Sequence, residues 1–131
     1  MTGETNLDEL IKSLSAVLVE GLYVFVTLKP DQKLASIEPR MTFREAEGIT
    51  YILLKSEAET HGLSYEFPCR MITLNIHSSL EAVGFMARIS TELAKHDMGV
   101  NPVSGFFHDH LFVPEGRQHD AMNVLRKMSE S

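Results

Sequence analysis

From residue 7 onward the hydrophobic positions switch between two periods. Leu7, Leu10, Ile11 and Leu14 recur at helical spacing. Asn6 precedes them and Glu9 stands three residues further on, the spacing of a capping box. Gly21 closes this region. In "LYVFVTL" Leu22, Val24, Val26 and Leu28 alternate with Tyr23, Phe25 and Thr27, a period of two that predicts a strand. "KPDQ" reads as a turn, "LASIEP" and "MTFRE" as two short strands, and "GITYILL" as another, with Gly48 marking the tight turn before it. "KSEAETHGL" predicts a short helix, with Ser56 and Glu59 as a second capping box and Gly62 as its stop.

The same alternation returns in "FPCRMITLNI", where Ile72, Leu74 and Ile76 share one face and Thr73 and Asn75 the other. The clearest helix is "HSSLEAVGFMARISTELAKHDMG". Ser78 and Glu81 have capping-box spacing, Ala82, Met86, Ile89 and Leu93 form an apolar stripe, and Gly99 marks the stop. "VNPVSG" and "HLFVP" read as two strands joined by a tip at Phe106–Asp109. A last helix, about 115–128, places Ala121, Val124, Leu125 and Met128 on one face.

The second half is therefore β-α-β-β-α, which is the ferredoxin-like α+β pattern without its last strand. That strand must come from the first half or from a partner chain. No Pro/Gly/Ser linker separates the halves, taken as 1–66 and 67–131. They are expected to share one antiparallel sheet, or to set two sheets side by side.

Composition narrows the function classes. The chain has 131 residues, enough for one compact domain or two small halves, and 44% of them are hydrophobic, as in a globular protein. A formal net charge of −6, without a Lys/Arg block, lacks the footprint of a nucleic-acid binder. No apolar run is long enough to span a bilayer. "MTGETNLDELIKSLS" lacks the basic and apolar regions of a secretory signal. One cysteine, Cys69, allows no internal disulfide and no Cys-based zinc cluster, and it sits in an apolar strand as core. A cytoplasmic location is expected. There is no G-x-S-x-G, P-loop or G-x-G-x-x-G, so no cofactor is expected.

The stretch "HSSLEAVGFMARISTELAKHDMGVNPVSGFFHDHLFVP" resembles the ACT domain, a small ligand-binding module of amino-acid-responsive regulators. Glu81 and Gly84 match its acidic–Gly pair, Phe85, Ile89 and Leu93 its helix positions, and Met98-Gly99-Val100-Asn101 its exit. Val83 stands where the commoner pattern has Pro. Over about residues 5–130, "GLYVFVTL", "TFREAEGITYIL", "HSSLEAVGF" and "HDHLFVP" occur in the order found in a family of short bacterial proteins with tandem ACT-like halves. The resemblance implies a regulatory, non-catalytic homodimer. It also implies a small ligand, an amino acid as first expectation, held at a domain or subunit interface.

Three stretches carry candidate chemistry. In "HSSLEAVGF" the backbone at Ser78, Ser79 and Leu80 precedes a helix, where free N–H groups can hold a carboxylate. His77 adds a donor, Glu81 can take an amine, and Gly84 permits close approach. The bland alternative is that Ser78 and Glu81 only cap their own helix. In the hairpin, Ser104 and Asp109 are further ligand candidates by way of the resemblance, while Asp109 also suits an Asx-type bond to the turn backbone. His108 and His110 share a face as a metal pair would, but no residue is committed by spacing as a third ligand, and His61 or His77 could reach only through tertiary geometry. In "TFREAEG" Arg44, with Glu45 and Glu47, reads either as a solvated turn with a local ion pair, or as a residue that pairs across the halves or recognises a ligand carboxylate. Two rival functions stay open: a metal-dependent enzyme using the His-Asp-His hairpin, and a ligand-free dimerisation module.

Overall fold

The computed structural model describes residues 3–32, 36–76 and 83–130, with side chains from residue 7. In chain order its elements are α1 (Gly3–Lys12), β1 (Ser15–Leu18), β2 (Tyr23–Leu28), β3 (Met41–Arg44), β4 (Ile49–Leu54), α2 (Lys55–Thr60), β5 (Glu66–Asn75), α3 (Phe85–Ala94), β6 (Asn101–Ser104), β7 (Asp109–Pro114) and α4 (Gln118–Glu130). The chain divides into two compact units. One is inserted, Gly21–Cys69; the other is split around it, Met1–Glu20 with Arg70–Ser131. The sequential halves 1–66 and 67–131 place a break near the same point of β5 but assign the first twenty residues differently.

The split unit has the strand order β1–β5–β7–β6. β1 pairs antiparallel with β5, Ser15 opposite Asn75 and Leu18 opposite Ile72. The strand missing from the second half is thus supplied by the N-terminal segment of the same chain, and a four-stranded ferredoxin-like sheet results. Ile72 and Leu74 of β5 and Leu111 and Val113 of β7 point to one face, as their alternation predicts. They pack with Ile11 and Leu14 from the α1 end, Phe85, Ile89 and Leu93 of α3, and Ala121, Val124, Leu125 and Met128 of α4. Each large side chain buried here contributes about 1.5–3 kcal/mol relative to exposure.

The inserted unit orders its strands β3–β4–β2–β5. β2 and β4 pair in register from Tyr23 opposite Leu54 to Leu28 opposite Ile49, and β3 pairs with β4 from Met41 opposite Ile52. Residues 66–69 of β5 complete it: Cys69 lies opposite Tyr23 and Glu66 opposite Phe25, with a register shift between. Phe67, at φ 56°, sits in that irregularity, as expected where a bulge bends a strand. Val24, Val26, Ile37, Tyr51, Leu53 and Ala58 form the core.

Several local expectations are corrected. α1 starts at Gly3, so Asn6 lies inside it and is not its cap. α2 has Leu54 at its N-cap with no side-chain bond, so Ser56 is a helical residue. The Ser78–Glu81 box lies outside the described residues, and α3 starts at Phe85 behind Gly84. α3 ends at Ala94, and it is Asp97, not Gly99, that turns left-handed (φ 55°), a conformation Asp tolerates better than most residues. In "LASIEP" residues 36–39 form no strand, although Ile37 is buried. β1, four residues long, had no predicted counterpart.

Candidate functional site

The hairpin β6–β7 is fixed by both strands and by its tip. Asn101 lies opposite Phe112 and Ser104 opposite Asp109. The Gly105 N–H donates to the His108 carbonyl at 2.9 Å, and the Ser104 hydroxyl donates to Asp109 Oδ1 at 2.6 Å. The two hairpin candidates are therefore brought together, and Asp109 accepts from a side chain across the turn. Pro102 stands on β6, at the end of the strand order, where a missing N–H breaks no ladder. Beyond the strands Phe106 and Phe107 stand 83% and 79% exposed, edge to face with centroids 5.0 Å apart.

The histidine pair is differently engaged. His110 is half-buried, and its Nδ1 lies 3.0 Å from the Thr73 hydroxyl of β5. His108 is exposed, its ring perpendicular to that of His110 at 6.4 Å. Among the described residues no three His, Cys, Asp or Glu side chains are grouped to hold a metal ion.

His77, Ser78, Ser79, Leu80 and Glu81 lie outside the described residues. Gly84 is within them and caps α3 at φ 89°, in the left-handed region, with no side-chain cap. Its carbonyl accepts from Arg88 N–H at 3.0 Å, and a Cβ there would come 3.3 Å from Leu7 Cδ2, so α1 packs close over this helix start. Arg44 is exposed on β3 opposite Ile49, and Glu45 accepts from the Thr50 hydroxyl.

Several surface cavities carry charged linings. In the split unit one of about 240 Å³ is lined by Ile11, Arg88, Glu92, His96, Val124, Lys127 and Met128. Two of its charges are already paired, Arg88 with Asp8 at 3.5 Å and Glu92 with Lys95 at 2.9 Å. In the inserted unit one of about 390 Å³ is lined by Tyr23, Glu38, Pro39, Arg40, Leu54 and Glu57. There Arg40 Nη2 donates to the Tyr23 hydroxyl at 2.7 Å. No local pattern marks this pair, because the partners stand 17 positions apart and no periodicity singles out Arg40.

Cys69 is fully buried, its Sγ 3.5 Å from the Tyr23 carbonyl. Burial pushes its thiol from an ordinary 9.0 up to about 12, so the thiolate that would act as nucleophile or ligand is suppressed.

Family models described as ACT domain match residues 2–70 and 66–127. A crystal structure from Vibrio cholerae, titled a protein of unknown function and possible transport protein, is 37% identical, covers 98% of this chain and 99% of its own, and superposes with a TM-score of 0.89. The regulatory subunit of aspartate kinase from Thermus flavus is 11% identical, with coverage of 88% and 96% and a TM-score of 0.60. A structure of aspartokinase alpha and beta subunits is 14% identical, with coverage of 89% and 98% and a TM-score of 0.63. At such identities these last two show a shared fold. No curated protein matches the chain.

Proposed function

The chain belongs to the ACT domain family, with ACT models matching nearly all of its length, and on that premise we propose that it is a regulatory module that binds an amino acid or a related small carboxylate. The observation that carries this reading is the pair of ferredoxin-like strand orders in a chain that ACT models match over residues 2–70 and 66–127. The protein acts by binding rather than catalysis, in the cytoplasm, as a homodimer with the ligand held where two subunits meet. Such a site makes ligand binding and association reciprocal. Among the described residues no helix is long and apolar enough to cross a membrane.

The test is a thermal-melt screen of the purified protein against single L-amino acids at millimolar concentration, with mass measured by light scattering. At least one amino acid is expected to raise the melting temperature, and the mass to be that of a dimer. The reading fails if no amino acid shifts the melt.

The exposed Phe106–Phe107 pair supports a second reading, an interaction module that needs no ligand. It predicts a dimer whose stability and mass ignore every small molecule, and Phe106→Ser with Phe107→Ser would make it monomeric.

A further inference from the structure

The cavity of the inserted unit joins one anchored cation to two carboxylates, none with an ionic partner among the described residues. Arg40 is held at both ends. Its backbone N–H donates to the Ile52 carbonyl of β4 at 2.6 Å, and its guanidinium donates to the hydroxyl of Tyr23, a side chain only 3% exposed. The guanidinium carbon lies 5.4 Å from the centroid of the same tyrosine ring, within cation–π range. Among the described residues the ion pairs are those of Arg88, Lys95, Arg117 and Arg126, all in the split unit. Arg40, Glu38 and Glu57 take part in none of them, yet all three line the same space.

An immobilised guanidinium suits a carboxylate, which it can grip through two parallel hydrogen bonds. Glu38 and Glu57 suit an ammonium group, and Pro39 and Leu54 offer apolar wall for a side chain. A volume of about 390 Å³ lies in the range of small-molecule sites. We infer that this cavity binds the zwitterionic head of an α-amino acid, its carboxylate on Arg40 and its ammonium on Glu38 and Glu57. The site is built from residues of the inserted unit, whereas the sequence reading puts a ligand at Ser78–Leu80. It rests on the amino-acid reading above and assigns that ligand a place.

The test takes whichever L-amino acid gives the largest melting shift and titrates it calorimetrically into wild type, Arg40→Gln, Tyr23→Phe and the double variant Glu38→Gln/Glu57→Gln. Arg40→Gln is expected to weaken binding roughly tenfold or more, the loss of a charged hydrogen bond, and Tyr23→Phe by a smaller factor through the lost anchor. Both should melt like wild type without ligand, since Arg40 is exposed and Phe keeps the buried ring. The deaminated acid of the same side chain should bind wild type roughly tenfold more weakly than the amino acid. That gap should close in the double variant. An amino acid that binds wild type and Arg40→Gln equally overturns the assignment and leaves the regulatory reading standing. Equal affinity for amino acid and deaminated acid overturns the role of the two glutamates. Wild type that binds no amino acid overturns the reading itself.

Discussion

The two units thread their strands alike and clothe them differently. In each, the sheet order is fourth, first, third, second: β1–β5–β7–β6 in the split unit and β5–β2–β4–β3 in the inserted one. In the split unit α3 connects the first and second strands, and α1 and α4 add further cover, for a core of fourteen buried side chains. In the inserted unit the same connection, residues 29–40, carries a turn closed by Gln32 N–H on the Lys29 carbonyl and then the irregular segment 36–40. Among the described residues its core cluster has six members, with Ile37 from that segment and Ala58 from the short α2. Among the described residues of this connection there is no helix, yet the strand order is the same, because the ladders β2–β4 and β3–β4 satisfy the backbone themselves. Ile37 of the connection is buried in the core, and the residues after it, Glu38, Pro39 and Arg40, line a cavity.

The largest expected difference is in core truncation. Leu93 and Leu53 are both fully buried, one in each unit. Leu93→Ala should cost about 4 kcal/mol in urea denaturation and Leu53→Ala nearer 2–3 kcal/mol, because a small core near the surface collapses more readily around the void. Hydrogen exchange should likewise find β2 and β4 opening at lower free energy than β5 and β7. Equal costs, or equal protection, would break the comparison.

Glycine replacements probe the units at a finer scale. A Cβ on Gly48 would meet the Leu28 backbone carbonyl at 2.7 Å, inside the inserted unit's hairpin, where neither strand can yield cheaply. Gly48→Ala should cost about 2 kcal/mol. Gly84→Ala in the split unit should cost about 1 kcal/mol, the strain of a left-handed backbone, since the end of Leu7 can move aside. A reversal of this order would mean that the short hairpin is the more plastic of the two.

The smallest effect near neutral pH, growing only in alkali, is a pH dependence from Cys69 of the inserted unit. Its folded pKa is raised, so the folded state keeps a proton that the unfolded chain loses above about 9. This contribution is fully present below pH 9.0 and is lost as pH rises toward 12, at no more than about 1.4 kcal/mol per pH unit. Cys69→Ala removes it. The stabilities of wild type and variant, measured by denaturation across that window, should converge as pH rises; parallel curves would show that the buried thiol does not titrate on unfolding.

Much of the fold was legible from side-chain period. Ala121, Val124, Leu125 and Met128 are the buried face of α4, and Ile72 and Leu74 the buried face of β5, as their spacing requires. The hairpin turns at Gly48 and at Gly105–His108 fall where turn residues cluster. Capping boxes were less informative, since Ser-x-x-Glu and Asn-x-x-Glu spacings occur inside helices as well, and only the backbone at Leu54 or Gly84 shows where a helix begins. Of the site residues, Ser104 and Asp109 were legible as parts of one hairpin but not as partners, and Arg40 was not legible at all, because it has meaning only beside Tyr23.

By itself the sequence determined most of the segments that coil or extend, β1 and "LASIEP" excepted, and the inward face of those with a clear period, since both follow from local geometry repeated every 3.6 or 2 residues. It also required a further strand for the second half without saying whose. Tertiary structure decided that Ser15–Leu18 fills that place and that a tyrosine, an arginine and two glutamates line one cavity. Strand pairing and charge placement join residues far apart in the chain, and no local pattern records which distant partner completes a ladder or a site.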